Sequence, residues 1–569
     1  MHRIAIVVSV VVFICTLGAF AAEREFTFHE KYLNLPVTND APECLVSLEI
    51  DGKKVREFTI SLAPEEPDYW VYLDLKEFAG RKGTLIASEI SSGQMKGFEA
   101  VHQDNTFPGE DEIYQEKLRP QFHFSSKRGW LNDPNGLMYY EGEYHLFYQH
   151  NPYGWTWGNL TWGHAVSEDL IHWKELGDAL HPDELGMMFS GSGVVDWKNT
   201  TGFQTGDEPP LICIYTNAGD VDGLHAWSEG KPFTQGLAYS NDRGRTWTKY
   251  DGNPVQGHLN HQNRDTKVIW WEETNEWVGV LYLIDERIAI FRTPDLKRWE
   301  LQSILKSFHE CPELFQLAVD GNPDNKKWIH HGGSGDYLIG DFDGSKFTPE
   351  GEAIKFSYGN RFFASQTFSD IPESDGRRVQ IAWGPVSMPD MPFNQMMTFP
   401  VSLTLRSTED GLRMFPYPVK EIEKIHGDKY EWEDEDLAPG DNPLGDLKGN
   451  LFDIAVEIEL GDADEVGFDI NGFPMAYKVS EERLTAGEEG DDDDRPEERS
   501  APLAPIDGKI RFRILVDRTF VEIFANEGRV YMPMQAVRDL NNKSLAIYAK
   551  GGSAHINEMT VHKVKSIWR

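Results

Sequence analysis

The stretch "SEDLIHW" at residues 167–173 returns in altered form as "SNDRGRTW" at 240–247 and as "TPDLKRW" at 293–299. Each copy sets a small polar residue, then Asp, then Trp a few positions later, and "GDFDGSKF" at 340–347 is a looser fourth copy. Trp173, Trp247 and Trp299 fall roughly 50–75 residues apart, near the length of a four-stranded propeller blade. Around these copies, from about 113 to 405, short apolar runs alternate with Gly, Asn, Asp and Pro turns, and helical periodicity is almost absent. Repeats of this size in an all-β chain predict a propeller of about five blades, with a β-sandwich array and coincidental turns as the competing reading.

Outward from the repeats, residues 23–112 hold "CLVSLEI", "KVREFTISL" and "YWVYLDL", whose alternation predicts a small N-terminal β module. After "TFPVSLTLR", a charged, Pro-bearing segment at 411–430 reads as a linker with a short helix. Residues 431–569 return to alternating strands, including a hairpin in "KIRFRILVDRTFVEIFANEGRVYM" with a turn at Asp517-Arg518-Thr519. That region predicts a second sandwich. Residues 1–22, "MHRIAIVVSVVVFICTLGAFAA", have a basic start, an unbroken apolar run and small residues at the end, as a secretory signal peptide does. An uncleaved anchor is the alternative. The propeller is thus expected over 113–410.

Net charge is −38, a field that repels phosphate backbones and anionic lipid and disfavours nucleic acid and membrane surfaces as partners. A neutral carbohydrate is compatible with it, and 17 Trp and 20 Tyr suit sugar-binding faces as well as β cores. Cys15, Cys44, Cys213 and Cys311 are scattered, so neither a disulfide framework nor a zinc spacing is present. The acidic run "EEGDDDDRPEERS" at 488–500 reads as a solvated loop rather than a calcium site. No metal or organic cofactor is implied.

Three acids stand in unusual settings. Asp133 opens "DPNG", which taken alone is a type I turn. Asp265 follows Arg264 in "NRDTKVIWW", and Glu310 precedes Cys311-Pro312 in "HECPELF". Each abuts an apolar strand. In a propeller the strand ends of successive blades converge on one funnel, so three blades can each supply one carboxylate to one pocket. Hydrolysis of a glycosidic bond by two carboxylates needs such an arrangement.

In this order, "FHFSSKRGWLNDPNG", "WGNLTWGHA", "FSGS", "NRDTKV" and "ECPELF" resemble the signature set of glycoside hydrolase family 32, the invertases, inulinases and levanases that act on β-fructofuranosides. "YLIGDFDGSKFTPE", "RFFASQTF", "MPFNQMMTFPVSLTLR" and "ILVDRTFVEIFANEGR" extend the likeness across roughly residues 115–569. The resemblance implies a five-bladed β-propeller followed by a C-terminal β-sandwich. It implies Asp133 as nucleophile, Glu310 as general acid/base and Asp265 as transition-state stabiliser. It also implies a fructose pocket lined by Trp130, Asn132, Gln149, Trp157, Phe189, Ser190, Arg264 and Trp383. Glu310 then needs burial and neighbouring negative charge to hold its proton, and Arg264 is expected to keep Asp265 ionised. Trp162 and His164 are expected to be structural.

Two departures bear on substrate: Thr266 stands where relatives usually carry Pro, and "GNLT" replaces a His-containing form before Trp162. The N-terminal module resembles the extra domain of some bacterial levanases, which favours a fructan over sucrose. The expectation is an exo-acting, retaining fructosidase on levan or inulin. Sucrose hydrolysis, fructosyl transfer and a fructan-binding protein without turnover are the alternatives. A sialidase-like propeller would need several site arginines for an anionic substrate, and only Arg264 lies in a site motif.

Overall fold

The computed structural model describes residues 20–220, 226–487, 500–536 and 539–568. Most of the leader-like segment and most of the acidic run at 488–500 lie outside the described residues, although Phe20–Thr27 is a strand that contains the end of that leader. The chain divides into two compact units, residues 1–108 and 109–569. The first is built from a four-stranded and a three-stranded sheet. Its strands alternate as their sequence does: in Cys44–Ile50 every second side chain is buried.

The second unit carries five four-stranded antiparallel groups whose first strands are Gly129–Tyr140, Met187–Val195, Arg264–Trp271, Glu313–Val319 and Phe363–Thr367. Each is followed by its neighbours in chain order, as in the run Arg264–Trp271, Glu276–Leu283, Arg287–Thr293, Glu300–Lys306. First strands of adjacent blades touch in parallel, with Gly191 opposite Thr266. This is the five-bladed propeller.

The repeated Asp has one job in each copy. It sits in the turn between the third and fourth strands of blades one to four and accepts the backbone N–H groups that the turn leaves unpaired. Asp169 takes those of Ile171 and His172, Asp242 that of Thr246, Asp295 those of Lys297 and Arg298, and Asp343 those of Ser345 and Lys346. The Trp that follows closes the turn: the indole N–H of Trp247 donates to the Gly244 carbonyl and that of Trp299 to the Leu296 carbonyl.

A six-stranded and a five-stranded sheet follow, packed face to face over a core that includes Ile454, Phe468, Phe512, Ile514, Val516 and Ile547. The hairpin is Lys509–Val516 and Phe520–Ala525, turning at 517–519. The expected linker at 411–430 is shorter than read. Gly411–Pro418 pairs with Val401–Thr408 as the last propeller strand, and His426–Leu437 is already a sandwich strand, leaving 419–425 with a 3-10 turn at Lys420–Ile425. The charges misled, because an edge strand tolerates polar residues that a buried one does not. Among the described residues no helix is long and apolar enough to cross a membrane.

Candidate active site

"DPNG" is not a free-standing turn. It lies within the first strand of blade one, whose pairing with Glu143–Asn151 is interrupted between Leu131 and Pro134 and again between Asn135 and Met138. Proline has no N–H for the ladder and is tolerated at such a bulge, and a bulge re-aims the neighbouring side chain. Gly136 is required here. Its φ is +54°, and a Cβ would stand 2.7 Å from the Phe147 ring.

Asp265 is the second residue of the first strand of blade three, and Glu310 and Cys311 lie just ahead of that of blade four. All three have left-handed backbone, with φ of 64°, 36° and 46°. Non-glycine residues take this conformation only where their surroundings impose it, at a cost of about 1–3 kcal/mol each. The clamps are visible. The Asp265 N–H donates to Thr216 Oγ1 (3.1 Å), the Cys311 N–H to Asp265 Oδ2 (3.1 Å), and the Gly333 N–H to the carbonyls of Glu310 and His309 (2.9 and 3.2 Å).

The three carboxylates converge. Cys311 Sγ stands 3.7 Å from both Asp133 Oδ2 and Asp265 Oδ2, so these oxygens are separated by at most twice that distance. Arg264 Nε is 3.0 Å from Glu310 Oε2 and 3.6 Å from Asp265 Oδ2. Asp265 is 5% exposed, whereas the Glu310 side chain is 21% exposed, which sets Asp265 deeper and Glu310 nearer the mouth.

Burial lifts the Asp133 carboxyl above its ordinary range and the Glu310 charge adds to this, against hydrogen bonds from Ser190 and Asn132. Burial also pushes Asp265 up to about 7, helped by the charges of Glu310 and Asp133 and opposed by Arg264. Arg264 acts in the expected direction, favouring the ionised form of Asp265, but burial outweighs it. Arg264 donates two hydrogen bonds to Glu310 Oε2, at 3.0 and 2.5 Å, and one to the Gln262 carbonyl at 2.9 Å, and stands farther from Asp265. Adjacency along a strand did not decide the pairing, because successive strand residues point to opposite faces.

The other expected residues divide by task. Asn132 Nδ2 donates to Asp133 Oδ1 (3.0 Å) and Ser190 Oγ to Asp133 Oδ2 (2.5 Å), so both hold the nucleophile candidate. The Trp130 indole N–H donates to Asn132 Oδ1 (2.9 Å), and Trp130 meets Trp383 edge to face at 6.1 Å. Trp157 and Phe189 form a second edge-to-face pair at 5.9 Å, with Trp157 38% exposed. Gln149 is buried, and with the Asn135 amide oxygen turned toward it, Gln149 Nε2 donates across 3.0 Å while Asn135 donates to Ser190 Oγ. Gln149 Oε1 is then a buried acceptor without a partner among the described residues. Trp162 is fully buried and His164 pairs with His145 at 3.0 Å, both inside the first blades.

Sequence reasoning missed Cys311, Thr216, Tyr282 and His309. Only Cys311 and His309 carried a signal, their adjacency to Glu310. No group of three or more His, Cys, Asp or Glu side chains placed to hold a metal is found among the described residues.

Residues 123–416 match the glycosyl hydrolases family 32 N-terminal domain and residues 421–563 the glycosyl hydrolases family 32 C-terminal domain, while residues 24–121 match a domain of unknown function. The levanase of Bacillus subtilis (strain 168) is 41% identical over 495 residues, covering 80% of this chain and 72% of the relative. A levanase of Bacillus sp. (strain L7) is 32% identical over 595 residues, covering 95% of this chain and 61% of the relative. The crystal structure of an exo-inulinase from Aspergillus awamori superposes with a TM-score of 0.72 at 28% identity, covering 80% of this chain and all of that one. On its domain order, motifs and relatives, this chain belongs to glycosyl hydrolase family 32.

Proposed function

We propose that the chain is a retaining β-fructofuranosidase that removes terminal fructose from a fructan, levan or inulin. The observation that carries this reading is the meeting of Asp133, Asp265 and Glu310 from three blades around Cys311 and Arg264. The levanase and exo-inulinase names of its relatives support the substrate class.

In the first step Asp133 attacks C2 of the terminal fructose. The C2–O bond to the next sugar breaks, its electron pair leaves on oxygen, and that oxygen takes the proton of Glu310, giving a fructosyl ester on Asp133. In the second step water attacks C2, its proton returns to Glu310, and Asp133 departs as carboxylate. Asn132 and Ser190 hold Asp133 in place, and their hydrogen bonds favour its carboxylate form against the effect of burial. In this reading Asp265 grips sugar hydroxyls as positive charge builds on C2 and the ring oxygen. The aromatic pairs Trp130–Trp383 and Trp157–Phe189 supply the apolar faces on which this reading sets the furanose ring. The leader-like residues 1–22 support action outside the cytoplasm.

The test is product analysis of the wild-type protein on levan, inulin and sucrose. Fructose as sole early product from a fructan is expected. Early oligosaccharides would overturn exo action, and no fructose from any of the three would overturn the reading itself.

A further inference from the structure

The two oxygens of Glu310 meet different surroundings. Oε2 accepts two hydrogen bonds from Arg264, at 3.0 and 2.5 Å. Oε1 faces the His309 imidazole, whose Nε2 stands 3.5 Å away. With Oε2 engaged, Oε1 is the oxygen that hands its proton to the departing sugar, and that sugar sits beside His309.

The His309 ring is held in place yet left open. Its Nδ1 is 2.9 Å from the Tyr282 hydroxyl, and it packs edge to face on the Tyr282 ring at 5.4 Å. Tyr282 is in turn covered by the Arg264 guanidinium at 4.8 Å, and the His309 carbonyl accepts from the Gly333 N–H. Even so, the His309 side chain is 59% exposed. A ring oriented from behind while its front meets solvent buries little apolar area, so packing does not account for it. With the Tyr282 hydroxyl donating to Nδ1, the proton of the neutral ring lies on Nε2, a donor beside Glu310 Oε1.

We infer that His309, oriented by Tyr282, binds the leaving sugar, its Nε2 donating to a hydroxyl of the unit that carries the departing oxygen. The inference rests on the fructosidase reading and adds the leaving-group side of that site, which Asp133, Asp265 and Gln149 do not reach.

The test compares a short oligofructan with β-fructosyl fluoride, whose leaving group is small and needs no proton. His309→Ala is expected to raise KM for the oligofructan about tenfold, the worth of one hydrogen bond to a bound ligand, and to leave kcat/KM for the fluoride unchanged. His309→Gln keeps a donor amide and recovers most of the loss. Tyr282→Phe, which removes only the orienting hydroxyl, weakens the oligofructan alone and serves if His309→Ala does not fold. Equal losses on both substrates would overturn the inference, because His309 would then act through Glu310 or the fold. So would an oligofructan KM that does not move. Wild-type protein inert on both substrates would instead sink the fructosidase reading.

Discussion

Two buried carboxylate clusters lie in the propeller–sandwich unit, and their chemistry is opposite. At the active site two of the three acids, Asp265 and Glu310, share the Arg264 guanidinium, Asp133 and Asp265 are lifted in pKa, and Asp265, Glu310 and Cys311 adopt left-handed backbone. Where the sandwich meets the start of the propeller, Asp517 and Glu522 clamp one imidazole: His123 Nδ1 is 2.9 Å from Asp517 Oδ2 and Nε2 is 2.8 Å from Glu522 Oε2. Asp517 also accepts the N–H groups of Gln121 and Phe122, and Glu522 accepts the Phe399 N–H and the Tyr531 hydroxyl. Burial acts to raise the Asp517 carboxyl, but His123 and these N–H groups outweigh it and hold it below its ordinary range. Burial alone would depress His123, yet its two carboxylates push it up to about 9. The Asp517–Glu522 cluster is fully buried, whereas the active-site cluster opens at Glu310, whose side chain is 21% exposed. One is satisfied and joins two domains, and the other is left under electrostatic and backbone strain because its groups must change charge during turnover.

That contrast predicts which substitutions separate activity from stability. The largest effect belongs to Asp133→Asn, which should cut fructan turnover by roughly 10⁴-fold or more while the thermal midpoint holds or rises, since a buried charge among like charges is removed. A large loss of stability alongside the loss of activity would erase the distinction between the clusters. His123→Ala is the converse. Leaving two carboxylates buried without their cation should cost about 3–5 kcal/mol in denaturant unfolding, with kcat per folded molecule unchanged.

The two clusters should also lose their contributions to stability in different pH windows. Asp265 has a folded pKa raised to about 7, so the native state holds its proton more tightly than the unfolded chain. Its contribution to stability therefore falls as pH rises from about 4 to 7. The stability gain of Asp265→Asn over wild type should widen across that range. His123 has a folded pKa raised to about 9, so its contribution is full below about 6.5 and is lost as pH rises through 9. The gap between wild type and His123→Gln should shrink there. Thermal unfolding across pH 4–10 reads both windows; an Asp265→Asn gain that does not grow between about pH 4 and 7, or a His123→Gln gap that does not shrink near pH 9, would contradict the account. The smallest effect is that of Ser190→Ala. Losing the 2.5 Å hydrogen bond to Asp133 should lower kcat/KM about tenfold and move the acidic limb of its pH profile upward, because the carboxylate loses a stabilising donor.

Much of the fold was legible because its signals are local. The Asp of "SEDLIHW" caps its own turn, and the alternation of "KIRFRI" in the hairpin needs no distant partner. The three acids were legible as a set through their motifs. Their surroundings were not. "DPNG" carries the composition of a turn, and only pairing with Glu143–Asn151 makes it a bulged strand. Arg264 sits beside Asp265 in sequence, but its closest hydrogen bonds go to Glu310, which arrives from the next blade. Left-handed φ at Asp265, Glu310 and Cys311 has no sequence signature, since the residues that usually mark it are Gly and Asn. The His123 clamp spans almost four hundred residues, so the likeness of "FHF" and "DRTFVE" to family segments gave no hint that they touch.

The division of labour between Asp133 and Glu310 is tested most directly by trapping. In Glu310→Gln, β-fructosyl fluoride needs no acid to load the enzyme, while the ester left behind lacks the base that activates water, so a covalent adduct accumulates. Acid quenching and peptide mass mapping should find fructose esterified to Asp133. Fructose on another residue, or rapid turnover of the fluoride with no adduct at all, would contradict the account.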